Sequence, residues 1–203
     1  MKPAKTSKAW MMEHVNESWV KQAKAQGYRS RAAFKLEEIN QKDHLIRRGS
    51  WVADLGSAPG AWSQYAQKMG AHLVALDILP MAPIPGVQFI QGDFTEQVTL
   101  DALSATLKNQ QLDLVMSDMA PNISGVSSVD QARSLYLCEL ALDFAKEWLK
   151  PDGSFLVKVF QGVGFPEYLV AMRGVFEQVL SRKPKASRDR SSEVYLLGKM
   201  LRR

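Results

Sequence analysis

A single cysteine in 203 residues, Cys138, excludes an internal disulfide and fits a reducing compartment such as the cytoplasm. Histidine is almost as scarce. His14, His44 and His72 are scattered and, with one cysteine, give no metal-ligand spacing, so no metal site is expected. No apolar run is long enough to span a membrane, and the N-terminus lacks the apolar core of a secretory signal. Repeats and low-complexity linkers are also missing. What remains is ordinary globular composition, 46% hydrophobic and 23% charged, in a chain whose length suits one domain over 1–203, expected as a monomer.

The charge is unevenly spread. Residues 1–50 carry 11 basic against 5 acidic side chains, residues 51–180 carry 7 against 14, and residues 181–203 carry 8 against 2. An acidic middle is thus flanked by two basic ends. Solvated termini would explain this blandly. The sharper reading is a phosphate-binding face built from both ends, with the acidic centre serving another ligand. Candidate phosphate contacts are Lys5, Lys8, Arg29, Arg31, Arg182, Lys185, Arg188 and Arg190.

The middle alternates strand-like and helix-like segments. Strands are predicted at Trp51–Leu55, Leu73–Asp77, Val87–Ile90, Leu112–Ser117, Ser154–Phe160 and Glu193–Leu197. Helical patterns cover Ala61–Met69, Thr95–Lys108, Val129–Leu149 and Pro166–Leu180, with Ser128 and Gln131 as a capping box for the third and Pro151-Asp152-Gly153 as the turn that ends it. Such alternation predicts an α/β fold, a mostly parallel sheet with helices on both faces, over 51–203. Residues 1–50 read as a basic, helical N-terminal extension.

The string "DLGSAPGAW", Asp54 to Trp62, follows an apolar strand with a loop of small residues and then a helix start. Glycine there lets the backbone approach a ligand, with free amides facing it. Asp77 ends the second strand 21 residues after Gly56, where an acid can accept both hydrogen bonds of a ribose diol. Dinucleotide enzymes share that much. Three details favour S-adenosylmethionine. The spacing Gly56-x-x-x-Gly60 is not G-x-G-x-x-G, Asp54 puts a carboxylate near the loop that suits an ammonium better than a pyrophosphate, and Asp93 follows the third strand where an adenine amino group would sit. Each acid alone reads as a turn cap; together with Asp118 they end four successive strands.

The loop "MSDMAPNISG" after the fourth strand lacks the Asn/Asp-Pro-Pro-aromatic pattern of amino-directed methyltransferases. Carbon methylation of pyrimidines needs a nucleophilic cysteine, and Cys138 in "SLYLCELAL" reads as core. An oxygen acceptor remains. A sugar hydroxyl is a poor nucleophile, so a base must take its proton. Lys158 interrupts the apolar "GSFLVKVFQG", where an unpartnered lysine would be costly; on an edge strand its stem would pack and its head reach solvent. Desolvation and a neighbouring cation favour the neutral amine that a base requires. Lys35 in "SRAAFKLEEI" could be that cation, with Asp118 and Glu193 orienting the pair, although spacing does not show that the four meet.

The strings "SRAAFKLEEI", "DLGSAPGAWSQY", "LDILPM", "QGDF", "MSDMAPNISG", "GSFLVKVFQG" and "SSEVYLLG" run in one order over nearly the whole chain. In that order and spacing the chain resembles the bacterial FtsJ (RrmJ) family of heat-shock ribosomal RNA methyltransferases. The resemblance implies a Rossmann-like fold and a Lys-Asp-Lys-Glu tetrad falling on Lys35, Asp118, Lys158 and Glu193, with Lys158 as proton acceptor. It implies S-adenosylmethionine contacts at Gly60, Trp62, Asp77, Asp93 and Asp118, with Gly56 in the same loop. Departures are Ala61, where the family usually has glycine, and Ser57; both stay small. The implied substrate is the 2'-hydroxyl of a uridine in 23S RNA of the large ribosomal subunit. The alternatives are a tRNA ribose 2'-O-methyltransferase and a ribosome-assembly factor that binds RNA without turnover.

Overall fold

In the computed structural model, residues 18–122, 124–188 and 191–202 are described. Residues 18–25 are helical. The elements that follow are α1 (Ala32–Asp43), β1 (Trp51–Leu55), α2 (Ala61–Lys68), β2 (His72–Asp77), β3 (Val87–Gln91), α3 (Gln97–Leu107), β4 (Leu112–Ser117), α4 (Ser127–Trp148), β5 (Leu149–Phe160), α5 (Phe165–Val175), β6 (Phe176–Arg182) and β7 (Glu193–Leu201). The strands form one sheet in the order β3-β2-β1-β4-β5-β7-β6. All neighbours pair in parallel except β7, which runs antiparallel to β5 and β6. The chain order reverses direction at β1/β4, the place where an open α/β sheet leaves a crevice beyond its strand ends.

Strand alternation divides the core. Ala53, Leu55, Val74, Leu76, Val115 and Val157 face α3, α4 and α5. Val52, Leu73, Leu114, Met116 and Leu156 face α1 and α2, where Leu36, Ile39, Trp62 and Tyr65 meet them. Because β1, β4 and β5 are covered on both faces, they read as nearly continuous apolar runs. The helix α1 stops at His44, whose left-handed backbone turns its N–H to the carbonyl of Asn40.

Three expectations fail at element boundaries. The predicted helix Pro166–Leu180 is helix only to Val175; Phe176–Arg182 is the edge strand β6. The predicted turn at Pro151-Asp152-Gly153 lies within β5, where the register against β4 shifts between Leu112 and Leu114. The Ser128–Gln131 capping box does not form. Val126 is the N-cap without a side-chain cap, and Gln131 instead donates to the carbonyls of Phe160 and Val163.

Candidate active site

The crevice begins at the end of β1. Gly56 has φ 78°, and a Cβ there would lie 2.8 Å from backbone atoms of Met119. Only glycine allows the loops after β1 and β4 to come that close. The amides of Gly56 and Ser57 both donate to the carbonyl of Leu76. Asp77 joins the next two loops, since its Oδ2 accepts from the amide of Ala58 and its Oδ1 from the amide of Leu79, each at 2.8 Å. Each carboxylate oxygen has two lone pairs, so Asp77 can still accept from a ribose diol.

These loops enclose a cavity of about 430 Å³, lined by Gly56, Asp77, Asp93, Phe94, Asp118 and Met119 among others, with Arg133 and Tyr136 from α4 on the far wall. Four expected cofactor residues, Gly56, Asp77, Asp93 and Asp118, thus meet in one space. Its charged lining is three carboxylates and one guanidinium. That balance fits a ligand carrying sulfonium and ammonium charges and opposes a pyrophosphate. Gly60 and Trp62 are not in the lining. Gly60 is the N-cap of α2, and Trp62 is buried, donating its indole N–H to the carbonyl of Ala32 with its ring 5.7 Å from that of Tyr195. Asp54 is a correction. It is completely buried and outside the lining, its Oδ2 accepts from Ser63 Oγ at 2.6 Å, and burial pushes its carboxyl up to about 7. It lies buried outside the cavity.

The second half of the site follows from strand register. Lys158 on β5 pairs with Tyr195 on β7, and Phe160 with Glu193. Opposed residues of an antiparallel pair share a face, and residues two apart on a strand do too. Lys158, Tyr195 and Glu193 therefore point toward α1, which brings Lys35 one turn before Ile39. Lys35 Nζ lies 2.6 Å from Glu193 Oε1 and 3.1 Å from Tyr195 Oη. The Tyr195 hydroxyl donates to Asp118 Oδ1 at 3.0 Å. Lys158 Nζ lies 3.2 Å from the same Oδ1 and donates to the Asp118 carbonyl at 2.6 Å. The four tetrad candidates form one connected chain, in which Lys35, Lys158 and Glu193 are each under 10% exposed.

Two groups in this chain have shifted acidities. Burial raises the Glu193 carboxyl, but the Lys35 ammonium, the Ser187 hydroxyl and the charge of Lys158 outweigh it and hold Glu193 below the ordinary range. Burial, then the charges of Asp118 and Glu193, push the Tyr195 phenol well up, so it remains a donor to Asp118. Tyr195 was missed by sequence reasoning. A tyrosine in "VYLLG" reads as core, and its only signal was the pairing of β7 with β5.

The basic ends divide. Arg182 makes a two-pronged ion pair with Asp43, both contacts at 2.7 Å. Arg29 donates to the carbonyls of Pro59, Ala82 and Pro83. Both guanidiniums are already engaged within the fold. Lys185 and Arg188 are exposed. Arg31 lies within electrostatic reach of Arg188, Glu193 and Tyr195. Lys5, Lys8 and Arg190 lie outside the described residues.

Comparison with known proteins gives the family and the fold. A family model described as FtsJ-like methyltransferase matches residues 28–201. The chain is 62% identical to the Ribosomal RNA large subunit methyltransferase E of Methylobacillus flagellatus, covering 98% of this chain and 97% of that one. It is also 62% identical to the protein of the same name from an Azoarcus species, over 100% of both. Among solved structures, a ribosomal RNA methyltransferase from Plasmodium falciparum superposes with a TM-score of 0.76 at 28% identity, over 86% of this chain and 98% of that one. A TehB-like S-adenosylmethionine-dependent methyltransferase from Corynebacterium glutamicum shares the fold, with a TM-score of 0.53 at 19% identity over 94% and 98%.

Proposed function

Since the chain belongs to the FtsJ-like methyltransferase family, we propose that it methylates the ribose 2'-oxygen of a uridine in the 23S RNA of the large ribosomal subunit. It is an S-adenosylmethionine-dependent RNA methyltransferase, as its full-length relatives named for ribosomal RNA methylation support. The choice of a ribose oxygen rests chiefly on Asp118. This residue lines the cofactor cavity and also accepts hydrogen bonds from the lysine–tyrosine chain, so donor and base meet at one carboxylate. Among the described residues no helix is long and apolar enough to cross a membrane. The whole of 1–203 acts as one unit in the cytoplasm in this reading.

S-adenosylmethionine, when bound, supplies a methyl group on a sulfonium, a leaving group that needs no protonation. The protein's own contribution is to hold the parts and move one proton. Asp77 would offer its remaining lone pairs to the ribose diol of the cofactor, and Asp93 would accept from its adenine amino group. As the neutral amine, its own ammonium proton released to solvent beforehand, Lys158 accepts the 2'-hydroxyl proton at Nζ as that oxygen becomes the nucleophile. The ammonium so formed has acceptors waiting, the carbonyl and Oδ1 of Asp118. Lys35 is anchored by the ionised Glu193 and directs the Tyr195 hydroxyl onto Asp118. Asp118 is thereby fixed from two sides, and positioning of this kind contributes much of a transfer reaction's rate.

The experiment is methyl transfer from labelled cofactor to purified large subunits, free ribosomal RNA and tRNA. Label should enter the large-subunit RNA. Label confined to tRNA would favour the tRNA alternative, and binding of RNA without any transfer would favour the assembly-factor alternative.

A further inference from the structure

The connection 26–31, between the helical residues 18–25 and α1, crosses α2 and is tied to it. The Arg29 amide donates to Gln64 Oε1 at 2.8 Å, and Gln64 Nε2 donates back to the carbonyl of Gly27 at 3.2 Å. The Lys68 ammonium lies 3.9 Å from the centroid of the Tyr28 ring. From this strap the Arg29 side chain reaches two other loops. Nη1 donates to Pro59 O at 3.0 Å and to Ala82 O at 2.6 Å, and Nη2 donates to Pro83 O at 2.9 Å.

Those loops are the two that Asp77 holds from inside the cavity. Ala58 precedes Pro59, and Leu79 opens the segment that ends at Ala82 and Pro83; both Ala58 and Leu79 give their amides to Asp77. The cofactor loops are therefore cross-tied twice, by a carboxylate accepting amides on the ligand side and by a guanidinium donating to carbonyls on the outer side. The guanidinium also sits close against the start of α2. A Cβ on Gly60, whose φ is 104°, would stand 2.9 Å from Arg29 Nη1 and 2.8 Å from the sulfur of Met81.

We propose that Arg29 is a positioning residue for the cofactor pocket, a planar fork that sets the distance between the loops after β1 and β2, and not a ligand for RNA phosphate. The inference deepens the reading of this cavity as the S-adenosylmethionine site. A guanidinium presents its N–H donors on separate nitrogens in a fixed plane, which matches three carbonyls shared between Nη1 and Nη2; an ammonium has three donors too, but all on one nitrogen at the end of a flexible stem, and does not reproduce that spread. Loss of the fork lets the Leu79–Pro83 lip drift from the Pro59–Gly60 turn, so that Asp77 meets the ribose in a looser frame. The tetrad receives no bond from Arg29 and stays as it is.

The test uses the full chain with Arg29→Lys and Arg29→Met. Calorimetry with S-adenosylhomocysteine, RNA binding across a salt series, and steady-state transfer to large subunits are measured for each. Cofactor affinity and the KM for S-adenosylmethionine should worsen about tenfold in both variants, with kcat at saturating cofactor within about twofold of wild type. The slope of RNA affinity against salt should be unchanged. A phosphate ligand would give the opposite pattern, with Arg29→Lys near normal, Arg29→Met showing a flatter salt slope, and cofactor affinity intact in both. If Arg29→Met does not fold, Arg29→Lys decides: retained cofactor affinity there overturns the proposal. Wild type that fails to bind S-adenosylhomocysteine at all would instead refute the reading of the cavity on which the proposal rests.

Discussion

Asp54 sits beneath the cofactor loop with one oxygen bonded to Ser63 and the other, Oδ1, without a partner. Burial, and then the nearby charges of Asp118 and Asp77, raise its carboxyl to about 7 despite the Ser63 hydrogen bond. The folded state thus holds a proton that the unfolded chain releases near its ordinary pKa of about 3.9. Between those values the native state binds more protons, so stability falls as pH rises, by at most about 1.4 kcal/mol per pH unit from this group. Asp54→Asn removes the titration and should flatten the melting temperature against pH between about 4 and 7; an unchanged profile in the variant would refute this. Glu193 belongs to the chemistry in a different way. It is ion-paired with Lys35 at 2.6 Å and acts through that lysine in the proposed mechanism, so Glu193→Ala should slow single-turnover transfer less than Lys158→Ala does. Equal losses would mean that Glu193 handles the proton itself.

At the scale of elements, the antiparallel β7 does the most for the site, because its register sets Tyr195 and Glu193 beside Lys158. Its packing depends on Gly198, where a Cβ would come within 2.4–2.8 Å of ring atoms of Phe176. Phe176 stacks in turn on Phe155, with ring centroids 6.1 Å apart. Gly198→Ala should therefore cost about 1–3 kcal/mol in urea unfolding, as an overpacked core does; a neutral result would mean that β6 shifts freely. This edge is also where the sequence was least legible. Val175, Phe176, Val179 and Leu180 recur at spacings that suit a helix as well as a strand, and only pairing with β7 decides. The turn residues Pro151-Asp152-Gly153 were overridden because β5 extends to pair Leu149 with Leu112. Strands β1, β2 and β4 were legible to within a residue, since burial on both faces writes itself into the sequence as apolar runs, whereas β5 begins five residues earlier than expected and β7 runs four residues further. The acids at strand ends and the two lysines were legible as residue types. Their convergence was not, because it depends on register, and the roles of Arg29 and Tyr195 depend on side-chain reach.

Over the whole molecule, the proposed function gives the acidic cavity to the cofactor and the basic surface to RNA. The chain carries a net charge of +5 while the cofactor cavity is lined by three carboxylates. RNA binding should weaken with salt, and Lys185→Ala with Arg188→Ala should lower the slope by about 0.7 per lost phosphate contact on single-stranded RNA, without altering cofactor affinity. A double variant with the wild-type slope would move the RNA face elsewhere. In the proposed mechanism, Lys158 takes the proton of a ribose 2'-hydroxyl beside Asp118. The most direct measurement of that step is single-turnover transfer to saturating large subunits by wild type and Lys158→Arg, with the methylated atom mapped by mass spectrometry and cofactor affinity measured in parallel. Wild type should place one methyl on a uridine 2'-oxygen. Lys158→Arg should bind the cofactor normally and transfer almost nothing, because a guanidinium stays protonated. A methyl found on a base atom, or an active Lys158→Arg enzyme, would contradict the assignment.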